Sequence, residues 1–146
     1  MIKQLILKHS ISRAKDSYGY NRVTLTDTTT CKKYACVGGG YDMTGTVFGE
    51  WLQDNYQAEL LAIAHKAHYI HDGHRLTKAI EWQPMHQYVK LDCHGSLYGM
   101  TYHIVGDRVA LDGACGLECM LDIAKQAGLS VQRQVDSKGH LIGFFV

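Results

Sequence analysis

The first forty residues alternate between hydrophobic and polar positions, which is the pattern of half-buried β-strands. Residues 2–11 alternate loosely and predict an opening strand, whereas residues 19–27 alternate more cleanly and are rich in β-branched side chains. The polar cluster at 27–30 predicts a turn, after which residues 31–37 predict the partner strand of a hairpin. This hairpin leads directly into the glycine-rich segment 38–42.

The next part of the chain changes to a helical pattern. Residues 43–70 carry one apolar stripe at spacings of three and four, formed by Phe48, Leu52, Tyr56, Leu60, Ile63, Ala67 and Ile70. A continuous helix of this length would span roughly 40 Å, which is wide for a domain of this size. We therefore expect a break near Asp54 and Asn55, and a helix end at Gly73, which suits a left-handed cap.

The second half of the chain repeats the order of strands, glycine-rich segment and helix. Residues 88–93 and 97–105 predict strands, and Gly106-Asp107 predicts a two-residue hairpin turn to a strand at 108–111. The glycine-rich segment 112–116 follows and opens a helix, for which Asp112 is the expected N-cap and Gly128 the expected stop. Residues 130–135 and 140–146 predict a closing hairpin with a turn at 136–139.

These elements predict an α+β fold in a single domain, residues 1–146, in which two principal helices pack on one face of a mainly antiparallel sheet. Because a hairpin, a glycine-rich segment and a helix follow one another twice, the fold is also predicted to contain a pseudo-repeat. A chain of this length buries roughly two-thirds of its unfolded surface in a core.

Charge and composition exclude several classes of protein. The chain has 15 basic and 14 acidic residues, a net charge of +1 and no block of like charge, so it lacks the footprint of strong nucleic-acid binding and leaves room only for a small local basic patch. No apolar run approaches the roughly 20 residues of a membrane span. The 5 cysteines form an odd set without paired spacing, which favours free thiols in a reducing cytoplasm.

The two glycine-rich segments are the main candidate binding sites. Backbone N–H groups at the start of a helix have no partner within the helix and attract anions. The residues that would form the sites are Gly38, Gly39, Gly40, Tyr41 and Asp42 in the first segment, and Asp112, Gly113, Ala114 and Gly116 in the second. A phosphate would contact the amides, and Tyr41 or Asp42 would contact a ribose or a base. The alternative interpretation is a structural corner between strand and helix.

Cys115 raises a catalytic alternative. With Asp112 as N-cap, Cys115 occupies the first helical turn, where the helix dipole favours a thiolate. It also falls outside the apolar arc of that helix. A nucleophilic cysteine needs a base, and His103 or His140 would supply it from a neighbouring strand. The alternative is a small side chain that fits a crowded turn.

Four histidines, His65, His68, His71 and His74, follow one another at intervals of three. Successive steps of three rotate around a helix, so all four cannot reach one ion while the helix continues. The pattern also lacks the glutamate of a zinc-hydrolase helix. We therefore predict solvent-facing histidines and no bound metal or other cofactor, with a metal protein as the weaker alternative.

The segments 38–52 and 111–116 together resemble small accessory proteins encoded by tailed bacteriophages. That family supplies no established activity. The resemblance implies a context, the cytoplasm of a host bacterium, and a role in which the protein binds and blocks a host enzyme or defence system, in the manner of an anti-CRISPR-like inhibitor, or sequesters a nucleotide. It implies a host protein or a small anionic ligand as the partner and is compatible with a homo-oligomer.

The sequence thus predicts a binding protein or inhibitor rather than a catalyst. The alternative is a cysteine-dependent enzyme with Cys115 as its nucleophile.

Overall fold

The computed structural model describes residues 2–13, 19–38, 43–66, 69–72, 75–78, 87–91, 100–105, 108–112 and 116–146. The strands in this part of the chain are β1 (Gln4–Arg13), β2 (Gly19–Asp27), β3 (Lys33–Gly38), β4 (Tyr69–Asp72), β5 (Arg75–Lys78), β6 (Gln87–Leu91), β7 (Met100–Val105), β8 (Arg108–Asp112), β9 (Gln132–Val135) and β10 (Leu141–Phe145). The helices are α1 (Thr44–Asn55), α2 (Gln57–Lys66) and α3 (Leu117–Gln126).

The strands form two antiparallel sheets, and the fold is α+β as predicted. Sheet A has the strand order β3-β2-β1-β10-β9, and sheet B has the order β5-β4-β6-β7-β8. Sheet A therefore joins the first hairpin to the last one, which makes the two chain ends neighbours. The sequence predicted one sheet with two principal helices, whereas the described residues contain two sheets and three helices. The pseudo-repeat stays a prediction; its first hairpin, β2–β3, lies in sheet A and its second, β7–β8, in sheet B.

The core lies where α1 packs on the inner face of sheet A. Alternate residues of β1 and β2 point inwards, so Leu5, Leu7, Val23 and Leu25 are buried. From the helix, Val47, Phe48, Trp51 and Leu52 meet them, and the Phe48 ring lies 5.1 Å from that of Phe144 on β10. Full burial of each such side chain stabilises the fold by about 1.5–3 kcal/mol.

The break expected near Asp54 and Asn55 is confirmed. Helix α1 ends at Asn55, and Tyr56 is its C-cap with φ −130°. A new helix begins one residue later, at Gln57.

The predicted continuation of that helix to residue 70 is wrong. Helix α2 ends at Lys66, and Tyr69–Asp72 forms strand β4, paired antiparallel with Arg75–Lys78. The apolar spacing of Ile63, Ala67 and Ile70 therefore runs across two different elements. Pairing within sheet B outweighs the helical pattern.

Helix α3 begins later than predicted. Its N-cap is Gly116, whereas Asp112 ends β8 opposite Thr101, so the expectation of Asp112 as N-cap is wrong. The predicted stop is confirmed. Gly128 has φ +87°, and its N–H donates to Lys125 O at 3.0 Å, which is the left-handed glycine ending of a helix.

Within the described ranges, none of the helices combines the length and the hydrophobicity that crossing a membrane requires.

Candidate functional site

Strand β8 lies against α1 and runs in the opposite direction. The Gln57 side chain, just beyond the end of α1, accepts a hydrogen bond from Val109 N and donates one to Val109 O, each at 2.9 Å. Further along β8, the Leu111 side chain lies beside Gly49 in the middle of α1, 3.5 Å from where a β-carbon would stand. Continuing in this direction, β8 ends at Asp112 towards the N-terminal half of α1.

Strand β3 has the same orientation. Its first half contacts the C-terminal end of α1, where the Tyr34 hydroxyl donates to Asp54 Oδ2 at 2.5 Å. Its last residue, Gly38, is followed after only 4 residues by Met43, the N-cap of α1. Strands β3 and β8 therefore both run from the C-terminal end of α1 towards its N-terminal half before they reach Gly38 and Asp112, the first residues of the two glycine-rich segments.

The described residues of the two segments differ in exposure. Gly38 is buried at the end of β3, and Gly116 is exposed. The backbone of Asp112 belongs to β8. The other candidate binding residues, Gly39, Gly40, Tyr41 and Asp42 in the first segment and Gly113 and Ala114 in the second, lie outside the described residues.

The beginning of α1 is covered by the protein itself. Thr44 is 1% exposed, and Gly45 and Val47 in the same turn are buried as well. The first turn of α1 is therefore closely packed. Both interpretations of the first glycine-rich segment, an anion site and a structural corner, stay predictions.

The beginning of α3 is more open. Gly116 has φ −62° and ψ 170°, and no side chain of the described residues caps the helix there. A β-carbon on Gly116 would meet none of the described residues within 4 Å. In the first turn, the Glu118 carboxylate is ion-paired with Arg133, which reduces its repulsion of an approaching anion. Helix amides that no described side chain caps are suited to an anion.

The catalytic residues suggested by the sequence are not brought together within the described part of the chain. His140 lies in the turn between β9 and β10, with its Nδ1 3.6 Å from Asp136 Oδ2 of the same turn. His103 lies on β7 in register with Ala110 of β8. Cys115 falls outside the described residues. A Cys115 nucleophile with either histidine as its base stays a prediction.

The histidine series does not continue along one helix. His65 is exposed on α2, whereas His71 lies on β4 opposite Leu76, and His68 and His74 lie outside the described residues. Over the ranges that the structure covers, no group of three His, Cys, Asp or Glu side chains could hold a metal ion.

Sequence reasoning missed a polar cleft of about 570 Å³ between β3, α1 and β8. Asp54 accepts hydrogen bonds there from Tyr34 and from Lys32 Nζ, the latter at 2.6 Å. Burial and the bond to Asp54 raise the pKa of Tyr34 to about 12, and the bonds from Lys32 and Tyr34 lower the pKa of Asp54. Tyr34 therefore stays a neutral donor and Asp54 an anion near neutral pH.

The cleft joins β3 and α1, which follow one another in the chain, to β8, which is distant in sequence, so no single local motif predicts it. Arg108 adds a second cation to the lining of this cleft, which also includes Glu50, whose pKa is raised by burial. Asp54 on α1 accepts hydrogen bonds from Lys32, just before β3, and from Tyr34 on β3. These two bonds join the first hairpin to α1.

Comparison of the chain with protein-family models, with curated proteins and with solved structures finds no match.

Proposed function

We propose that this chain is a binding protein of the phage accessory type, which takes a small anionic ligand, such as a nucleotide, at its glycine-rich segments. The ligand or the blocked host component would meet the protein where segment 112–116 opens α3. The observation that supports this most is the direction of the two strands before these segments, because β3 and β8 both run from the C-terminal end of α1 towards its N-terminal half.

The exposed start of α3 is the part of this region with the clearest affinity for negative charge. A helix N-terminus carries about half a positive elementary charge and stabilises an anion by roughly 0.3–1 kcal/mol at an exposed position. A host protein would be held in the same manner through a carboxylate or phosphate.

A thermal-shift series with inorganic phosphate and a panel of nucleotides tests the proposal. A ligand present at about 100 times its Kd stabilises the folded protein by about 2.7 kcal/mol. Two substitutions at one position make the test specific, since the backbone conformation of Gly116 suits any residue and a β-carbon there meets none of the described residues within 4 Å.

Gly116→Asp places a carboxylate on the α3 amides, and we expect it to abolish the ligand-dependent shift. The same change is expected to raise the stability of the free protein by a few tenths of a kcal/mol, because aspartate is the better N-cap. Gly116→Ala is the matched control, which leaves the amides open and keeps the shift. Equal shifts in both variants, or no shift with any of these anions, would refute the proposal.

A further inference from the structure

The outer face of sheet A, which points away from α1, collects positive charge. Leu5 and Leu7 of β1 and Val23 and Leu25 of β2 point to the core, so the residues between them point outwards. Lys8 on β1, Arg22 on β2 and Lys33 on β3 lie on this outer side and are exposed. No described residue that alternation places on the outer side of β1, β2 or β3 is acidic. We call this surface the basic face.

Strand pairing explains why this cluster is invisible in the sequence. Lys8 lies opposite Thr24, Arg22 lies two residues from Thr24 on the same strand, and Lys33 lies opposite Thr26. With strands about 4.8 Å apart and a rise of about 3.3 Å per residue, the β-carbons of the three cations are roughly 8–14 Å from one another. They surround Thr24 without meeting at one point.

None of the three cations forms an ion pair with a described side chain. The ion pairs there join Lys32 to Asp54, Arg133 to Glu118 and His140 to Asp136. None includes a residue of the basic face. Between the cations lies a depression of about 520 Å³ that is also lined by the hydroxyl-bearing residues Ser10, Thr24 and Thr26. Hydroxyl groups and cations are the side chains that contact phosphate oxygens in nucleic-acid complexes.

We propose that the basic face binds the phosphodiester backbone of a nucleic acid. The spread of the cations suits a chain with one phosphate per nucleotide better than a single phosphate group. Since Lys8, Arg22 and Lys33 supply charge and the surrounding hydroxyl groups supply neutral donors, binding is weak, salt-dependent and indifferent to sequence. The surface is on the opposite side of sheet A from α1, so this proposal stands or falls independently of the anion site at α3.

Fluorescence anisotropy with a labelled oligothymidylate, and with a duplex of the same length, tests this over a range of salt concentrations. With three phosphate contacts, the logarithm of the association constant falls with the logarithm of salt concentration at a slope of about −2 for a single strand and about −3 for a duplex. The stronger of the two arms identifies the form of nucleic acid that the face accommodates.

Substitutions locate the binding surface. Lys8→Gln, Arg22→Gln and Lys33→Gln are each expected to reduce the magnitude of the slope by about 0.7–0.9, and Thr24→Glu, at the centre of the face, is expected to abolish binding. Lys125→Gln is the matched control, because Lys125 is exposed on α3 and its loss changes the net charge equally. Urea unfolding of each variant confirms that it is folded.

The proposal is overturned if the wild-type protein fails to bind either oligonucleotide at low salt, or if Lys125→Gln weakens binding as much as the changes on the basic face. It is overturned equally if polyglutamate of the same charge competes as well as the oligonucleotide, since the face would then recognise acidic polypeptides. Retained binding in Thr24→Glu would place the nucleic acid elsewhere.

Discussion

Asp27 is a buried carboxylate, and its replacement by asparagine gives the sharpest test of how the hairpin β2–β3 is joined to α1. The side chain is 0% exposed. Its Oδ2 accepts the indole N–H of Trp51 at 3.0 Å, and its Oδ1 accepts the N–H of Thr29 at 2.9 Å and that of Thr30 at 3.4 Å. One carboxylate thus connects the turn that follows β2 to the core of α1.

The magnitude follows from these donors. In Asp27→Asn, the amide oxygen takes the place of one carboxylate oxygen and still accepts hydrogen bonds. The NH2 group takes the place of the other oxygen, and as a donor it cannot accept the N–H that faces it. One buried N–H loses its acceptor, which costs about 1–3 kcal/mol, and the remaining bonds lose the assistance of the charge. We expect the free energy of unfolding at pH 7 to fall by about 2–4 kcal/mol. That is a large part of the 5–15 kcal/mol typical of a folded domain.

The pH dependence gives an independent check. Burial opposes ionisation of Asp27, but the hydrogen bonds from Trp51, Thr29 and Thr30 and the charge of Lys3 outweigh it, so the pKa lies below its ordinary value of 3.8. A lowered pKa in the folded state stabilises the protein above the unfolded pKa, and this stabilisation is lost as the pH falls through the folded value. The difference between the wild type and Asp27→Asn should therefore shrink below about pH 4.

Urea unfolding at pH 7 and at pH 3, followed by tryptophan fluorescence, measures both effects. Asp136→Asn is the matched control, because Asp136 also accepts two backbone N–H groups of a turn, from Lys138 and His140 at 2.9 Å each, without a buried indole partner. A smaller loss is expected for it. A loss below about 0.5 kcal/mol in Asp27→Asn, or a difference that is the same at both pH values, would refute this account.

Three further predictions concern individual contacts. Gly143→Ala should destabilise the protein by at least about 2 kcal/mol in urea unfolding, because the new β-carbon would lie too close to a main-chain oxygen of β1; an unchanged midpoint would contradict this. Tyr34→Phe should remove one tyrosine that ionises near pH 12 from a spectrophotometric titration. Because that pKa is raised above 10.0, Tyr34 stabilises the fold below pH 10 and loses this effect as the pH approaches 12; if the amplitude lost in the variant lay near pH 10, the reasoning would be wrong. Gln57→Leu should accelerate hydrogen exchange at the Val109 amide, which loses its acceptor; unchanged protection would show that another group takes over.

Local patterns predicted several elements well. Residues 19–27 alternate cleanly, and β2 occupies Gly19–Asp27. Gly128 ends α3 because glycine adopts a left-handed backbone conformation without steric strain. In both cases the physical cause is contained in a few neighbouring residues. The same holds for the turn at 136–139, where Gly139 has φ +81°.

Predictions failed where long-range pairing decides the outcome. Asp112 is a good N-cap by its chemistry, but its backbone pairs with Thr101 and extends β8. The apolar residues after Lys66 match a helical spacing, yet Tyr69–Asp72 pairs with β5. Such pairings depend on partner strands that the local sequence does not identify.

The surfaces proposed for binding were predictable only in part. The glycine-rich segments were identified from their composition. The direction in which β3 and β8 run along α1 could not be predicted from the sequence. The cations of the basic face come from three strands, and the register of those strands brings them together. Runs of like charge are therefore a poor guide to the surface of a sheet.

The side chain of Gln57 has a consequence for how this protein associates with itself. Strand β8 is an edge strand of sheet B. The unpaired main-chain groups of an edge strand can form hydrogen bonds with a strand of another molecule. At Val109 an amide from within the same chain already occupies both groups. A strand from another molecule therefore cannot pair with this edge at Val109. Gln57→Leu should increase self-association at high protein concentration as well as hydrogen exchange at the Val109 amide.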